Sequence, residues 1–233
     1  IIIVDGLAGP NFKNIIDTQK LKYKFDIVWT QSNVGIDKAL NIGINSSRNN
    51  FIFRADGDDI NKVDRFKIQL PYLIKGYDLV GSHIDEYDNL DKYIATRKVP
   101  ITEREIRKMI PFRNPFNHMT VAFNKSAIIE VGCYPELFLK GDYGLWANLI
   151  AANKIVINLD ISLVNVNAGS GMIKRRGGFK YVISEFYLQK HLLDKGLTNI
   201  VQSILVMLLR STIFLSPSVV RTRIYKIFLR KKK

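Results

Sequence analysis

Short apolar runs alternate with longer stretches of helical spacing along the first part of the chain. Ile1 to Val4 is a continuous apolar run, as a parallel strand buried on both faces requires. Asp5-Gly6 ends it. Phe12 to Leu21 predicts a helix and Phe25 to Trp29 a second strand. After a turn at Gln31-Ser32-Asn33-Val34-Gly35, the residues Ile36, Ala39, Leu40 and Ile44 recur on one helical face. Phe51 to Ala55 is a further short strand, apolar apart from Arg54. Val63-Asp64-Arg65-Phe66 then opens a helix carrying Ile68, Leu70 and Leu73. Asp78 to Ser82 predicts a strand, followed by a polar stretch from Asp85 to Asp91. This order predicts a doubly wound α/β domain with a mostly parallel sheet.

Ile101 to Ile110 predicts an amphipathic helix. Thr102 is its N-cap, and Glu105 three residues on completes a capping box. Asn114 to Phe123 reads as a strand, and Asp142 opens a helix whose apolar residues are Leu145, Trp146, Leu149 and Ile150. Ile155 to Ile161 predicts a further strand pair or an edge. Phe179 to Leu193 is helical. Ile200 to Leu215 is strongly apolar but interrupted by Gln202, Ser203, Arg210 and Ser211. At about 16 residues it falls short of the ~20 that span a bilayer. Two arrangements fit it: an in-plane membrane helix continued by the basic segment from Arg221, or packing on the main domain.

Composition narrows the class. At 233 residues and 47% hydrophobic, the chain suffices for one core and an appendage. Cys133 is its one cysteine, so no internal disulfide forms, which fits a reducing compartment. The formal charge of +14 invites a nucleic-acid reading, but its distribution argues otherwise. Residues 1–171 carry 21 Lys and Arg against 19 Asp and Glu, whereas residues 172–233 carry 14 against 2. A basic, apolar tail fits an anionic membrane surface, and no nucleic-acid partner is expected. Nothing at Ile1 reads as a basic leader segment.

The candidate chemistry starts at Arg54-Ala55-Asp56-Gly57-Asp58-Asp59-Ile60. On an extended chain Asp56 and Asp58 point to one side, and Gly57 lets a ligand approach closely. Such carboxylates make a hard oxygen site for Mg²⁺ or Mn²⁺; the alternative is an Asp-rich turn. An EF-hand loop starting at Asp56 is excluded, because Asn61 and Lys67 stand where it needs Gly and Glu. Asp5, at a strand's carboxyl end, either meets a nucleobase or caps the next helix. Lys38 meets a phosphate or ribose, or is simply solvated. His118 meets a sugar hydroxyl or is structural. Lys174-Arg175-Arg176, between glycine pairs, is either a lid over a diphosphate or a basic surface loop.

Five ordered segments resemble inverting family 2 glycosyltransferases of the GT-A fold, of the bacterial O-antigen, capsule and exopolysaccharide type. They are Ile1-Ile2-Ile3-Val4-Asp5-Gly6; Asn33-Val34-Gly35 with Ala39-Leu40-Asn41-Ile42-Gly43; Arg54 to Ile60; Gly132 to Glu136; and Asp142-Tyr143-x-Leu145-Trp146. Asn114 to Phe123 is similar to that family's Asn-His strand. Together the segments cover roughly residues 1 to 185. Two positions depart from the family pattern: Gly141 stands for the usual Glu, and Cys133 for the second Gly.

The resemblance implies roles. Asp5, Asn33, Gly35 and Lys38 would bind the nucleotide. Asp56 and Asp58 would hold Mn²⁺ or Mg²⁺ on the diphosphate, with Arg175 and Arg176 closing over it. Asp142 would be the general base, and Asp59, His118 and Trp146 would line the acceptor side. It also implies that a first strand and helix, about thirty-five residues by the size of such an opening, precede Ile1. Residues 1–177 would form the catalytic domain and 178–233 a helical, basic, membrane-associating extension. The expected reaction moves glucose or galactose from a UDP-sugar, with inversion, onto a lipid-diphosphate-linked sugar such as GlcNAc-diphospho-undecaprenol. Its place would be the inner face of the bacterial cytoplasmic membrane, bound peripherally. The alternatives are a sugar-nucleotide nucleotidyltransferase and a non-catalytic membrane or nucleic-acid adaptor.

Overall fold

The computed structural model describes residues 1–168, 177–221 and 223. The N-terminal third follows the predicted alternation. Strand β1 (Ile2–Val4) pairs in parallel with β2 (Ile27–Trp29), and helix α1 (Pro10–Lys22) connects them. Helix α2 (Ile36–Ser46) packs on β1, with Gly43 close against Ile3. Strand β3 (Phe51–Phe53) leads into the carboxylate loop. The short β4 (Ile60–Asn61) and helix α3 (Arg65–Ile74) follow.

The main sheet is mixed, which corrects the expectation of a mostly parallel one. Strand β5 (Leu79–Asp88) is antiparallel to β6 (Lys92–Arg97) and to β7 (Ala122–Asn124), and β3 is antiparallel to β7. Strand β8 (Val156–Asn167) runs parallel to β5 and antiparallel to β4. The order is β3-β7-β5-β8-β4, with β6 paired to β5. The strand expected to end at Ser82 runs on through the polar stretch to Asp88 and turns into a hairpin. Asn89 and Leu90 take φ of 50° and 63° in that turn. A tight turn permits antiparallel return with no crossover helix.

Two further corrections have local causes. Ile155 to Ile161 belongs to a twelve-residue interior strand, not an edge. Asn158, fully buried, donates its amide to the Pro100 and Pro115 carbonyls at 2.6 and 3.0 Å. Asn114 to Phe123 is mostly not strand. It includes a 3₁₀ turn, His118–Thr120, before β7.

Helix α4 (Glu103–Met109) has the predicted capping box, with the Glu105 amide donating to Thr102 Oγ1 at 3.3 Å and Thr102 N to Glu105 Oε2 at 2.9 Å. Thr102→Ala is expected to destabilise the protein by about 1 kcal/mol in urea unfolding.

The core lies between the sheet and α5 (Lys125–Glu130), α6 (Gly141–Ala151) and α7 (Phe179–Asp194). Trp146, Leu145, Leu149 and Ile150 of α6 are fully buried there, with Phe116, Phe123 and Ile128. The sequence division at 177/178 falls just ahead of α7, whose Leu188 and Leu192 join the same cluster. Helix α8 (Ile200–Leu215) packs on α7 and buries Val206 and Phe214. Ile200, Val201, Ile204, Leu205, Leu208 and Leu209 remain more than half exposed on its other side. Among the described residues no helix is long and apolar enough to cross a membrane.

Candidate active site

The carboxylate loop is fastened by two buried arginines. Arg54, at the end of β3, forks onto Asp56 through two hydrogen bonds of 2.6 and 2.5 Å. Arg65 of α3 is fully buried beneath it. It donates to the Arg54 and Val121 carbonyls at 2.8 and 3.2 Å and to the Asn61 side chain. Burial lowers the Arg65 pKa to about 10, so it stays charged at neutral pH. Beyond this anchor Asp58 is exposed. Asp59 is half-buried and accepts from Asn167 N at 3.2 Å. Burial pushes its carboxyl up to about 6 against that hydrogen bond, and the neighbouring Asp56 and Asp58 charges add to the rise.

Asp142 is the second residue of α6, and Lys140, not Asp142, is the N-cap. Asn114 Nδ2 donates to Asp142 Oδ2 at 2.7 Å. The amide cannot turn round without loss, because Asn114 Oδ1 already accepts from Phe116 N at 3.1 Å. The fixed donor engages Oδ2, and among the described residues no hydrogen bond is made to Oδ1.

His118 and Tyr134 stand between these two stretches. Their side chains share a 2.8 Å hydrogen bond. Burial, then the Arg54 charge, pushes His118 down to about 3, so it is neutral. Burial pushes the Tyr134 hydroxyl up. Both groups feel the charges of Arg54 and of Asp142, so the predicted metal and base stretches both lie near this buried pair. Trp146 lies below, fully buried against Phe116, His118 and Tyr134, with no ring face open to an acceptor.

On the nucleotide side, Asp5 is committed largely to the chain itself. Its Oδ1 accepts from Val34 N at 2.8 Å and Thr30 Oγ1 at 3.0 Å, and its Oδ2 from Gly35 N at 3.0 Å. These bonds, led by Val34, lower its pKa. A carboxylate has about four acceptor positions, so one on Oδ2 remains for a base. Asn33 caps Gly35 N at 3.1 Å, and Gly35 has φ of 87°. Lys38 pairs with Glu136 at 3.2 Å on the surface. Arg175 and Arg176 lie outside the described residues, as does the basic segment from residue 224.

Asp56 and Asp58 offer hard oxygen donors, which suit a divalent cation shared with a diphosphate. Asp58 is the freer ligand, since Arg54 already occupies both oxygens of Asp56. Among the described residues no group of three or more His, Cys, Asp or Glu forms a cage by itself. The set therefore fits a cation whose remaining ligands are substrate and water.

The family model Glycosyl transferase family 2 matches residues 1–133. The chain belongs to that family. It is 33% identical over 234 residues to the Escherichia coli UDP-Gal:alpha-D-GlcNAc-diphosphoundecaprenol beta-1,3-galactosyltransferase, covering 99% of this chain and 85% of that protein. It is 30% identical over 228 residues to the amylovoran biosynthesis glycosyltransferase AmsE of Erwinia amylovora, covering 97% and 85%. Two solved structures share the fold. Staphylococcus aureus TarS 1-349 in complex with UDP-GlcNAc superposes with a TM-score of 0.65 at 14% identity, over 98% of this chain and 66% of that one. The chain therefore spans less than two thirds of that structure. The mannosyltransferase PcManGT of Pyrobaculum calidifontis, in complex with GDP-Man and Mn²⁺, gives 0.55 at 12% identity, over 95% and 73%. The GT-A-like α/β expectation is thereby met, with a mixed sheet.

Sequence reasoning passed over Arg54, Asn114 and Tyr134 as site residues. Arg54 was readable two positions before Asp56 within the same motif. No local spacing marks Asn114, whose partner lies 28 residues on.

Proposed function

We propose that this family 2 glycosyltransferase moves a hexose, glucose or galactose, from a UDP-sugar to a lipid-diphosphate-linked saccharide, with inversion, in bacterial surface-polysaccharide assembly. The observation that carries this is Asp142. Its carboxylate is held through one oxygen by Asn114, and its charge reaches the same His118–Tyr134 pair that feels Arg54 of the carboxylate loop. Asp142 takes the proton from the acceptor hydroxyl as that oxygen attacks the anomeric carbon. One displacement inverts the centre and releases UDP. Neutral His118, bonded to Tyr134, stands between the two stretches without adding charge. A divalent cation held by Asp58 and Asp56, when bound, supplies charge stabilisation to the departing diphosphate. The names of the Escherichia coli and Erwinia relatives support a polysaccharide pathway and a GlcNAc-diphospholipid acceptor.

The half-exposed leucine and isoleucine side of α8 and the basic tail support a peripheral seat on an anionic membrane surface, where such an acceptor resides. The test is UDP release from a panel of UDP-sugars with a GlcNAc-diphospholipid acceptor, in Mn²⁺ and in EDTA. Acceptor-dependent UDP release that falls at least 10-fold in EDTA, within the several kcal/mol a cation can supply, is expected. Release of inorganic diphosphate in place of UDP would replace this reading with the nucleotidyltransferase. No turnover and no calorimetric UDP binding would leave the adaptor.

A further inference from the structure

The side chain that Gly141 lacks has its place taken by another residue. A Cβ at Gly141 would fall on the carboxylate of Asp37. Asp37 is the second residue of α2, and Asn41 lies one turn further on the same face. Asn41 exchanges two hydrogen bonds with the Tyr134 backbone, its Nδ2 to Tyr134 O and Tyr134 N to its Oδ1, both 2.9 Å. That latch draws α2 onto the segment entering α6 and lays Asp37 over the first turn of the helix that carries Asp142.

An acid in the first turn of a helix ordinarily lies in water, where the helix dipole already favours it. Asp37 is half-buried instead, and among the described residues nothing donates a hydrogen bond to it. It faces Asp142 on α6 and Glu136 in the preceding loop. Burial first, then repulsion from those two, pushes its carboxyl up to about 6. Neither neighbour of suitable chemistry relieves it. Lys38 pairs with Glu136 at 3.2 Å, and the Tyr134 hydroxyl is bound to His118 at 2.8 Å. This is an electrostatically unfavourable placement, and such placements cluster at functional sites.

We propose that Asp37 is a second acceptor-binding carboxylate. It occupies the place of a side chain at position 141 and accepts a hydrogen bond from an acceptor-sugar hydroxyl adjacent to the one that Asp142 deprotonates. The acceptor is then held by a carboxylate pair, one from α2 and one from α6. In the family pattern that the chain resembles, position 141 is itself a Glu, and here α2 supplies the carboxylate. The proposal rests on the reading of Asp142 as the acceptor-side base.

The test compares wild type, Asp37→Asn, Gly141→Glu and the double variant Asp37→Gly with Gly141→Glu. Asp37→Asn is expected to raise the KM for a short-chain GlcNAc-diphosphate alkyl acceptor about 10- to 100-fold, the value of a hydrogen bond to a charged group. The KM for the UDP-sugar stays unchanged. Gly141→Glu alone melts lower and transfers poorly, because its Cβ meets Asp37 and a third carboxylate joins the pair. The double variant recovers both. Melting gives a readout independent of turnover. A carboxyl with a raised folded-state pKa destabilises the fold once ionised, and that penalty grows from the ordinary Asp range up to about pH 6 and is full above it. Asp37→Asn is therefore expected to melt a few degrees above wild type at pH 8, with the gap narrowing below about pH 6 and closing toward pH 4. An unchanged acceptor KM in Asp37→Asn, or a double variant no better than Gly141→Glu, overturns the proposal. Calorimetric binding of the same acceptor in the presence of UDP separates the two readings. If wild type binds it without transfer and Asp37→Asn binds it 10-fold more weakly, the transferase reading fails and the Asp37 site stands. If neither protein binds it, the site fails too.

Discussion

Asp142→Asn is expected to lower acceptor-dependent sugar transfer about 10³-fold, while UDP binding and the melting temperature stay close to wild type. The magnitude is that of removing a positioned general base, about 4 kcal/mol of barrier. The selectivity follows from the site. An amide at 142 keeps a carbonyl oxygen for the Asn114 donor, so the 2.7 Å hydrogen bond survives and the first turn of α6 is undisturbed. What is lost is the acceptor position for a proton. The UDP-contacting residues proposed on the other wall, Asp5, Asn33 and Gly35, hydrogen-bond among themselves and not to α6. Single-turnover rates and calorimetric UDP binding, measured on the same preparation, check the split. A variant that lost UDP binding along with transfer would place Asp142 in the nucleotide site instead. Asn114→Ala gives the companion result: Asp142 keeps its carboxyl but loses its fixed donor, so a smaller fall in kcat is expected.

The parts of this molecule that the sequence reveals are those written in contiguous residues. The capping box at Thr102 and Glu105, the helical face through Ala39 and Ile44, and the carboxylate run from Asp56 each depend on neighbours a few positions apart. The mixed sheet was hidden because its hairpin turns through Asn89 and Leu90, with no glycine to mark the positive φ. Strand β8 reads as an edge because Asn158 and Asp160 look like surface positions, until the Pro100 and Pro115 carbonyls that accept from the Asn158 amide are seen. The site follows the same rule. Asp56 and Asp142 stand in recognisable segments, whereas Asn114 and Asp37 reach Asp142 only through the tertiary fold. Taken alone, Gly141 is only a departure from the family pattern. Beside Asp37 it is the condition for that carboxylate's position.

Arg210 shows the same limit. It reads as an interruption of an apolar helix, yet it turns inward to Glu185. Glu185→Ala is expected to cost about 3–5 kcal/mol in urea unfolding at pH 7, the range for removing one partner of a buried ion pair. Glu185 is fully buried on α7 and accepts from Lys140 Nζ and Arg210 Nη1, each at 3.1 Å, and from Gln189 Nε2 at 2.9 Å. Burial pushes its carboxyl up, but the Arg210 and Lys140 charges outweigh that and leave its pKa lowered. Its contribution is therefore full above the ordinary Glu range and lost as pH falls through the depressed folded value. Lys140, buried and itself pulled down by that burial, would face the interior without a carboxylate. A combined Lys140→Met, Glu185→Leu, Arg210→Met variant removes all three charges at similar volume, and is expected to recover most of the lost stability. The contrast matters for function because Lys140 is the N-cap of α6, two residues before Asp142. If the network serves mainly to set that helix start, the combined variant folds well but transfers sugar more slowly than wild type. If it serves only to bind α7 and α8 to the core, stability and transfer return together.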